Sequence, residues 1–287
     1  MSLTVPNRLA IECNKTPTRA AWLKSLAGLI RELERRWSIV VGDPYQSASC
    51  AWVAPAERPD GAIAVLKVGM PHFENTHESQ GLRFWNADAT VQLYESDDEL
   101  GAMLLERCVP GTPLSTLPEL DQDVVICDLL KRLWRAPEAG HPFRSLTHMV
   151  TVWAGRTAEH RESWPDAGLV AEGLALFLDL PLNTPTGDVL LATDLHAGNV
   201  LRAERSPWLV IDPKPFVGDP SYDVTQHLFN CPARMHKDPH GTIARVADLA
   251  SLDSERVRLW TFARLAAEPR DDWSDKNSLS LARALAP

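Results

Sequence analysis

Residues 193–201 read T-D-L-H-A-G-N-V-L, and residues 208–212 read W-L-V-I-D. Asp194 and Asn199 stand in the spacing D-x-x-x-x-N, and Asp212 closes an apolar run with the composition of a β-strand. Three oxygen-bearing side chains in that order suit phosphoryl transfer, which asks a protein for positioning and charge rather than covalent chemistry. A divalent cation must sit on the phosphates, and an acceptor hydroxyl must be aimed at the γ-phosphorus. Asp194 is suited to accept the hydroxyl proton, while Asn199 and Asp212 offer the hard oxygen donors that Mg²⁺ prefers. Asp and Asn are also common turn residues, so the pattern needs support from elsewhere in the chain.

That support lies upstream. A-I-A-V-L-K at 62–67 is an apolar strand ending in Lys67, similar to the V-A-I-K strand of kinases. Eleven residues later, Glu78 begins E-S-Q-G-L-R-F-W, where Leu82 and Trp85 share one helical face, so the carboxylate can point back toward the strand. Lys67 would then contact the α- and β-phosphates of ATP and Glu78 would hold it, with Glu74 as the rival partner.

Taken with L-L-A-T-D-L-H-A-G-N-V-L at 190–201, W-L-V-I-D-P-K-P-F-V-G-D-P-S-Y-D at 208–223 and Q-H-L-F-N-C at 226–231, the chain resembles the aminoglycoside phosphotransferases, in the streptomycin 6-kinase and hydroxyurea kinase branch. The resemblance spans roughly residues 40–270, and D-P-K-P-F-V-G-D-P is its most specific element. It implies an α+β, protein-kinase-like fold of two lobes: residues 1–108 as a small antiparallel-sheet lobe that binds nucleotide, and 109–287 as a mainly helical lobe with the catalytic loop and acceptor site. It also implies ATP and Mg²⁺ as cofactors, and adenine recognition by the carbonyl of Glu106 and the N–H of Cys108, where V-P-G-T-P-L interrupts a strand. Acidic residues near the C-terminus, Glu268, Asp271 and Asp272 among them, are implied to bind cationic groups of the acceptor.

Two departures stand out. Many relatives carry His-Gly before the catalytic Asp, whereas this chain has Ala192 and Thr193, so any hydrogen bond from that histidine must come from elsewhere or be missing. The loop G-D-P-Y-Q-S-A-S-C at 42–50 has one glycine instead of G-x-G-x-x-G, leaving backbone N–H groups and the hydroxyls of Ser47 and Ser49 to line the phosphates.

Composition narrows the partners. A net charge of −9 argues against a nucleic-acid surface and suits a small cationic substrate. Five cysteines without a C-x-x-C pair fit a reduced, cytoplasmic protein, and no run approaches a membrane span. His196, without H-x-H or H-E-x-x-H around it, reads as ordering its loop in preference to ligating metal, and Asp223 as a cap or loop anchor.

Apolar spacing predicts helices over 18–37, 124–134, 169–178 and 257–266, and strands over 37–41, 50–54, 62–68, 90–94 and 102–106; His236 and His240 fall in a polar loop. Three readings of function follow: a streptomycin-type aminoglycoside kinase, the same machinery acting on hydroxyurea or another small hydroxyl metabolite, and a non-catalytic nucleotide-binding regulator.

Overall fold

The computed structural model describes residues 3–270, 273 and 275–287. In chain order the helices are α1 (Asn7–Cys13), α2 (Pro17–Trp37), α3 (Glu78–Trp85), α4 (Glu119–Leu133), α5 (Leu146–Glu159), α6 (Ala167–Asp179), α7 (Pro220–Phe229), α8 (Pro232–Lys237), α9 (Pro239–Ala250), α10 (Ser254–Ala267) and α11 (Lys276–Leu285). The strands are β1 (Val40–Val41), β2 (Ala51–Glu57), β3 (Ile63–Gly69), β4 (Leu93–Asp97), β5 (Ala102–Glu106), β6 (Val189–Leu191), β7 (Val200–Arg202), β8 (Trp208–Val210) and β9 (Phe216–Gly218). They divide into two units.

The first unit comprises the chain up to Thr112 together with Arg202–Ile211. Its sheet has the order β1-β2-β3-β5-β4, antiparallel throughout, with β3 central. Side chains alternate across a strand, so Ala64, Leu66 and Val68 of β3 face one side, packed with Trp22, Leu26, Ile30 and Leu33 of α2. Val65 faces the other side, with Met103, Leu105 and Leu82 of α3. Lys67 shares that second face, directly opposite Met103.

Helix α2 starts where the Thr16 hydroxyl accepts from the Arg19 N–H (3.3 Å) and Pro17 fills the first turn. It runs through Trp37, expected as the start of a strand, and stops only where Ser38 turns left-handed at φ 53°. The expected strand at 90–94 also begins late, at Leu93. Asn86, Ala87 and Ala89 all have positive φ, and Thr90 makes only an isolated bridge to Val210. Arg205 ties the 202–211 segment down, donating to both Glu106 carboxylate oxygens and to the carbonyls of Ala87 and Thr90.

The second unit comprises Pro113–Leu201 and Asp212–Pro287 and is mainly helical. Helix α10 packs closely on α6, because a side chain at Gly173 would sit 2.4 Å from the Ala266 Cβ. The Trp260 ring stands edge-on to Tyr222 (5.2 Å) and Phe177 (6.3 Å). Asp219 caps α7 through the Ser221 N–H (2.9 Å) and accepts from Trp260 Nε1 (2.6 Å) and Arg256 Nε (2.5 Å). His236 and His240, expected in a loop, lie on α8 and α9, which Pro232 and Pro239 open as first-turn residues.

A buried ionic cluster joins α4 to α7, α8 and α9. Asp123, fully buried, is hydrogen-bonded to His227 Nε2 (2.8 Å) and accepts from Arg234 (2.9 and 3.0 Å) and Arg245 Nε (3.0 Å). Burial raises its pKa, but the His227 and Arg234 hydrogen bonds outweigh that and hold it down at about 2. Cys231 Sγ lies 3.9 Å from the same His227 nitrogen. This acid, histidine and cysteine group looks like a metal site by composition, yet two guanidinium groups already occupy the Asp123 oxygens, which makes it an ion-pair core.

Candidate active site

In the first unit, Lys67 and Glu78 form a buried bidentate pair, with Lys67 Nζ 2.6 Å from both Glu78 carboxylate oxygens. The rival Glu74 sits one turn earlier, in the short 3₁₀ turn Phe73–His77 capped by His72. Ser47 and Ser49 lie in the turn joining β1 to β2, with Ser47 exposed; Gly42 N–H and Tyr45 N–H bond the carbonyls of Pro55 and Val53 and fix that turn on β2. Glu106 ends β5, its N–H donating to the Gln92 carbonyl (2.8 Å). Cys108 follows, its thiol pushed up to about 11 by burial and by Glu106.

In the second unit, the residues around Asp194 are held from below by α7. Fully buried Asp223 accepts the N–H groups of Ala192 (3.0 Å) and Thr193 (2.6 Å) and the Nε1–H of Trp134 (3.0 Å). Burial pushes its carboxyl up to about 6, further than the three hydrogen bonds pull it down. Thr193, at φ 49°, donates its hydroxyl to the Lys214 carbonyl (2.6 Å). A threonine hydroxyl and a buried carboxylate thus anchor the stretch that leads into Asp194.

Asp194 itself is partly buried. Burial raises its pKa above the usual carboxylate range, Lys214 and His196 pull it down, and Asp212 pushes it up. His196 accepts the Gly198 N–H on Nδ1 (3.1 Å), which leaves Nε2 as the protonated nitrogen, 4.0 Å from Asp194 Oδ1. That is the loop-ordering geometry expected of it.

Asn199 donates its amide to the Asp194 backbone carbonyl (3.0 Å), with Asp194 Oδ2 at 3.5 Å. Its Oδ1 therefore points away from that bond. Asp212, at φ 55°, presents a carboxylate about one-third exposed and ion-paired with Lys214. One amide oxygen and one carboxylate are the hard donors that Mg²⁺ selects, so the pair fits that cation.

Three side chains to which no sequence motif assigns a role complete the site. Gln226 of α7 donates Nε2 to Asp194 Oδ1 (2.9 Å) and accepts from Arg264 Nη2 (3.0 Å). Arg264 of α10, 4% exposed, also donates to Thr225 Oγ1 (2.6 Å) and Glu268 Oε1 (2.6 Å). Its guanidinium lies over the rings of Tyr222 (4.4 Å) and Phe229 (4.8 Å). Lys214 is the third, two residues beyond Asp212. Gln226 opens the Q-H-L-F-N-C stretch that carries the family resemblance, one turn after Tyr222 on the α7 face, but neither signal assigns it a role.

Arg264 and Glu268 line a cavity of about 480 Å³, with Phe229, His236, Arg270 and Asp275 among its walls. Glu268, expected to meet the acceptor, is already paired with Arg264 and accepts from the Tyr222 hydroxyl (3.2 Å). Asp275 caps α11 through the Asn277 N–H (3.0 Å). Asp271 and Asp272 lie outside the described residues.

Residues 36–270 match the family described as aminoglycoside/hydroxyurea antibiotic resistance kinase. A hydroxyurea phosphotransferase of Kitasatospora aureofaciens is 36% identical over 85% of this chain and 72% of its own length. A streptomycin 6-kinase of Streptomyces griseus is 34% identical over 93% of this chain and 91% of its own. Among solved structures, a choline kinase of Streptococcus pneumoniae superposes with a TM-score of 0.62 at 13% identity, covering 91% of this chain and 99% of that one, which shows the protein-kinase-like fold.

Proposed function

Because the chain belongs to the aminoglycoside/hydroxyurea antibiotic resistance kinase family, we propose that it moves the γ-phosphate of ATP to streptomycin, at the 6-hydroxyl of the streptidine ring. The observation that carries this choice of acceptor is the cavity of about 480 Å³, linked through Arg264 and Gln226 to Asp194. Pockets of roughly 300–1,000 Å³ suit drug-sized ligands, and hydroxyurea has only a few heavy atoms.

In this reading Asp194 takes the proton of the attacking hydroxyl, helped by a carboxylate made more basic by burial. Lys67, held by Glu78, contacts the α- and β-phosphates, and the turn with Ser47 and Ser49 covers them. The Glu106 carbonyl and Cys108 N–H receive the adenine. Asn199 and Asp212 would hold Mg²⁺, which would supply positive charge to neutralise the phosphates. Glu268 faces the acceptor as half of an ion pair, with Asp271 and Asp272 as further carboxylates for its guanidinium groups.

Incubation with Mg–ATP and streptomycin, followed by mass spectrometry, tests the acceptor: one added phosphoryl group is expected. No transfer to streptomycin, with clear transfer to hydroxyurea, overturns this choice of substrate. Asp194→Ala is expected to lower transfer by about 10²- to 10⁴-fold with nucleotide affinity kept. Near-normal turnover removes Asp194 from the base role.

A further inference from the structure

Gln226 stands between a fixed cation and the carboxylate read as the base, and its two hydrogen bonds run in opposite senses. An amide can present either its oxygen or its nitrogen, and the two are near-isosteric, so the neighbours decide. Arg264 decides here. A guanidinium has five donors and no acceptor, so the side of Gln226 that meets Arg264 Nη2 at 3.0 Å has to be the oxygen. The nitrogen is thereby turned on Asp194 Oδ1 at 2.9 Å.

Arg264 is itself immobilised. It is 4% exposed, lies over Tyr222 and Phe229, and spends its other donors on Thr225 Oγ1 and Glu268 Oε1. The Asp194 carboxylate is thus held at Oδ1 by a donor whose own orientation is enforced from α10. Asn199, 3.5 Å from Oδ2, leaves that second oxygen only loosely engaged.

We propose that Gln226 is the positioning residue of Asp194, with Arg264 setting its amide so that Oδ1 is occupied and Oδ2 is turned to the acceptor hydroxyl. This rests on the reading of Asp194 as the base. Gln226 touches neither substrate nor nucleotide in this scheme; it acts through the carboxylate it orients. Arg264 also lines the acceptor cavity, so the same guanidinium orders the wall of the acceptor site and, through one amide, the base.

The test compares Gln226→Leu and Gln226→Glu with wild type and with Asp194→Ala, measuring kcat, KM for ATP and for streptomycin, and thermal midpoint. Gln226→Glu keeps the size and strengthens the acceptor toward Arg264, which offsets part of its repulsion with Asp194, so its thermal midpoint should fall less than that of Gln226→Leu. It presents an oxygen to Asp194 where a donor is needed, so kcat should fall at least as far as in Gln226→Leu. Misplacing a reacting group by about 1 Å costs on the order of 10²-fold, and a loss of that order in kcat, with KM for ATP unchanged, is expected for both.

If Asp194→Ala is inactive while either Gln226 variant keeps kcat within about twofold of wild type, the positioning role is wrong and the base reading stands. A kcat loss that merely tracks the thermal midpoint in both variants also overturns it, because that is the signature of a packing residue. Full activity in Asp194→Ala would remove the base reading, and this proposal with it.

Discussion

Replacing Asp223 by alanine strips the acceptor from three buried donors at once: the N–H groups of Ala192 and Thr193 and the indole of Trp134. An unpaired buried donor costs about 1–3 kcal/mol, and the three together about 3–6 kcal/mol after partial relaxation. Against a total stability of roughly 5–15 kcal/mol this is severe but survivable, with a fall in thermal midpoint of about 10 °C. Urea unfolding followed by circular dichroism reads the loss directly.

The same variant carries a pH signature. The folded-state pKa of Asp223, about 6, lies above the ordinary value of 3.8, so this group favours folding fully below about pH 4. That contribution fades as pH rises through about 6. That difference corresponds to about 3 kcal/mol. Wild type should therefore gain on Asp223→Ala by that order as pH falls from 7 to 4. A difference below about 1 kcal/mol at pH 7, or one that stays flat across this window, refutes the account of Asp223 as a buried clamp on the Asp194 stretch.

Other substitutions separate the remaining roles. Asp212→Asn keeps an oxygen but loses the charge that would hold the cation, so its activity should recover in part at high Mg²⁺; an unchanged Mg²⁺ titration removes Asp212 from the metal site. Glu78→Gln weakens a charged pair worth about 1.5–3 kcal/mol and should raise KM for ATP by roughly 10- to 100-fold while leaving KM for the acceptor near wild type; equal changes in both would contradict a nucleotide role. The depressed pKa of Asp123 gives stability that is present above about pH 4 and lost as pH falls through about 2. Its size is about 2 kcal/mol, and Asp123→Asn should abolish this part of the acid transition; an identical acid transition in the variant counts against the ion-pair core.

The parts of this fold that the sequence announces are those set by local pattern. Leu66 and Val68 alternate with Val65 and Lys67, and Trp22, Leu26, Ile30 and Leu33 recur at helical spacing, so β3 and α2 are legible from periodicity alone. Asp194 and Asn199 are legible because a single short loop carries both. The rest is set by non-local or stereochemical causes. Trp37 has the composition of a strand start, but Ser38 turns left-handed and ends the helix one residue later. Gln226 and Arg264 lie 38 positions apart and meet only because α7 and α10 pack together, and no spacing rule links them. His236 and His240 resemble loop residues if Pro232 and Pro239 count as breakers, although proline in a first turn starts a helix.

The cavity proposed for the acceptor turns on what Glu268 does, and its partners constrain the answer. Its carboxylate accepts from Arg264 Nε at 2.6 Å and from the Tyr222 hydroxyl at 3.2 Å, so it meets a ligand as part of a nearly neutral pair. Among the described walls, Arg264 and Arg270 balance Glu268 and Asp275. The chain's −9 charge is therefore not gathered at those four positions. Glu268→Gln leaves a 4% exposed guanidinium facing an amide oxygen in place of its carboxylate, and with the Glu268 side chain 22% exposed the change costs about 1–3 kcal/mol. Because the same guanidinium fixes Gln226, kcat should fall with the thermal midpoint, and by more than KM for streptomycin rises. A variant with normal stability and kcat, and a raised KM that no longer responds to salt, would make Glu268 a direct guanidinium contact first and a partner of Arg264 second.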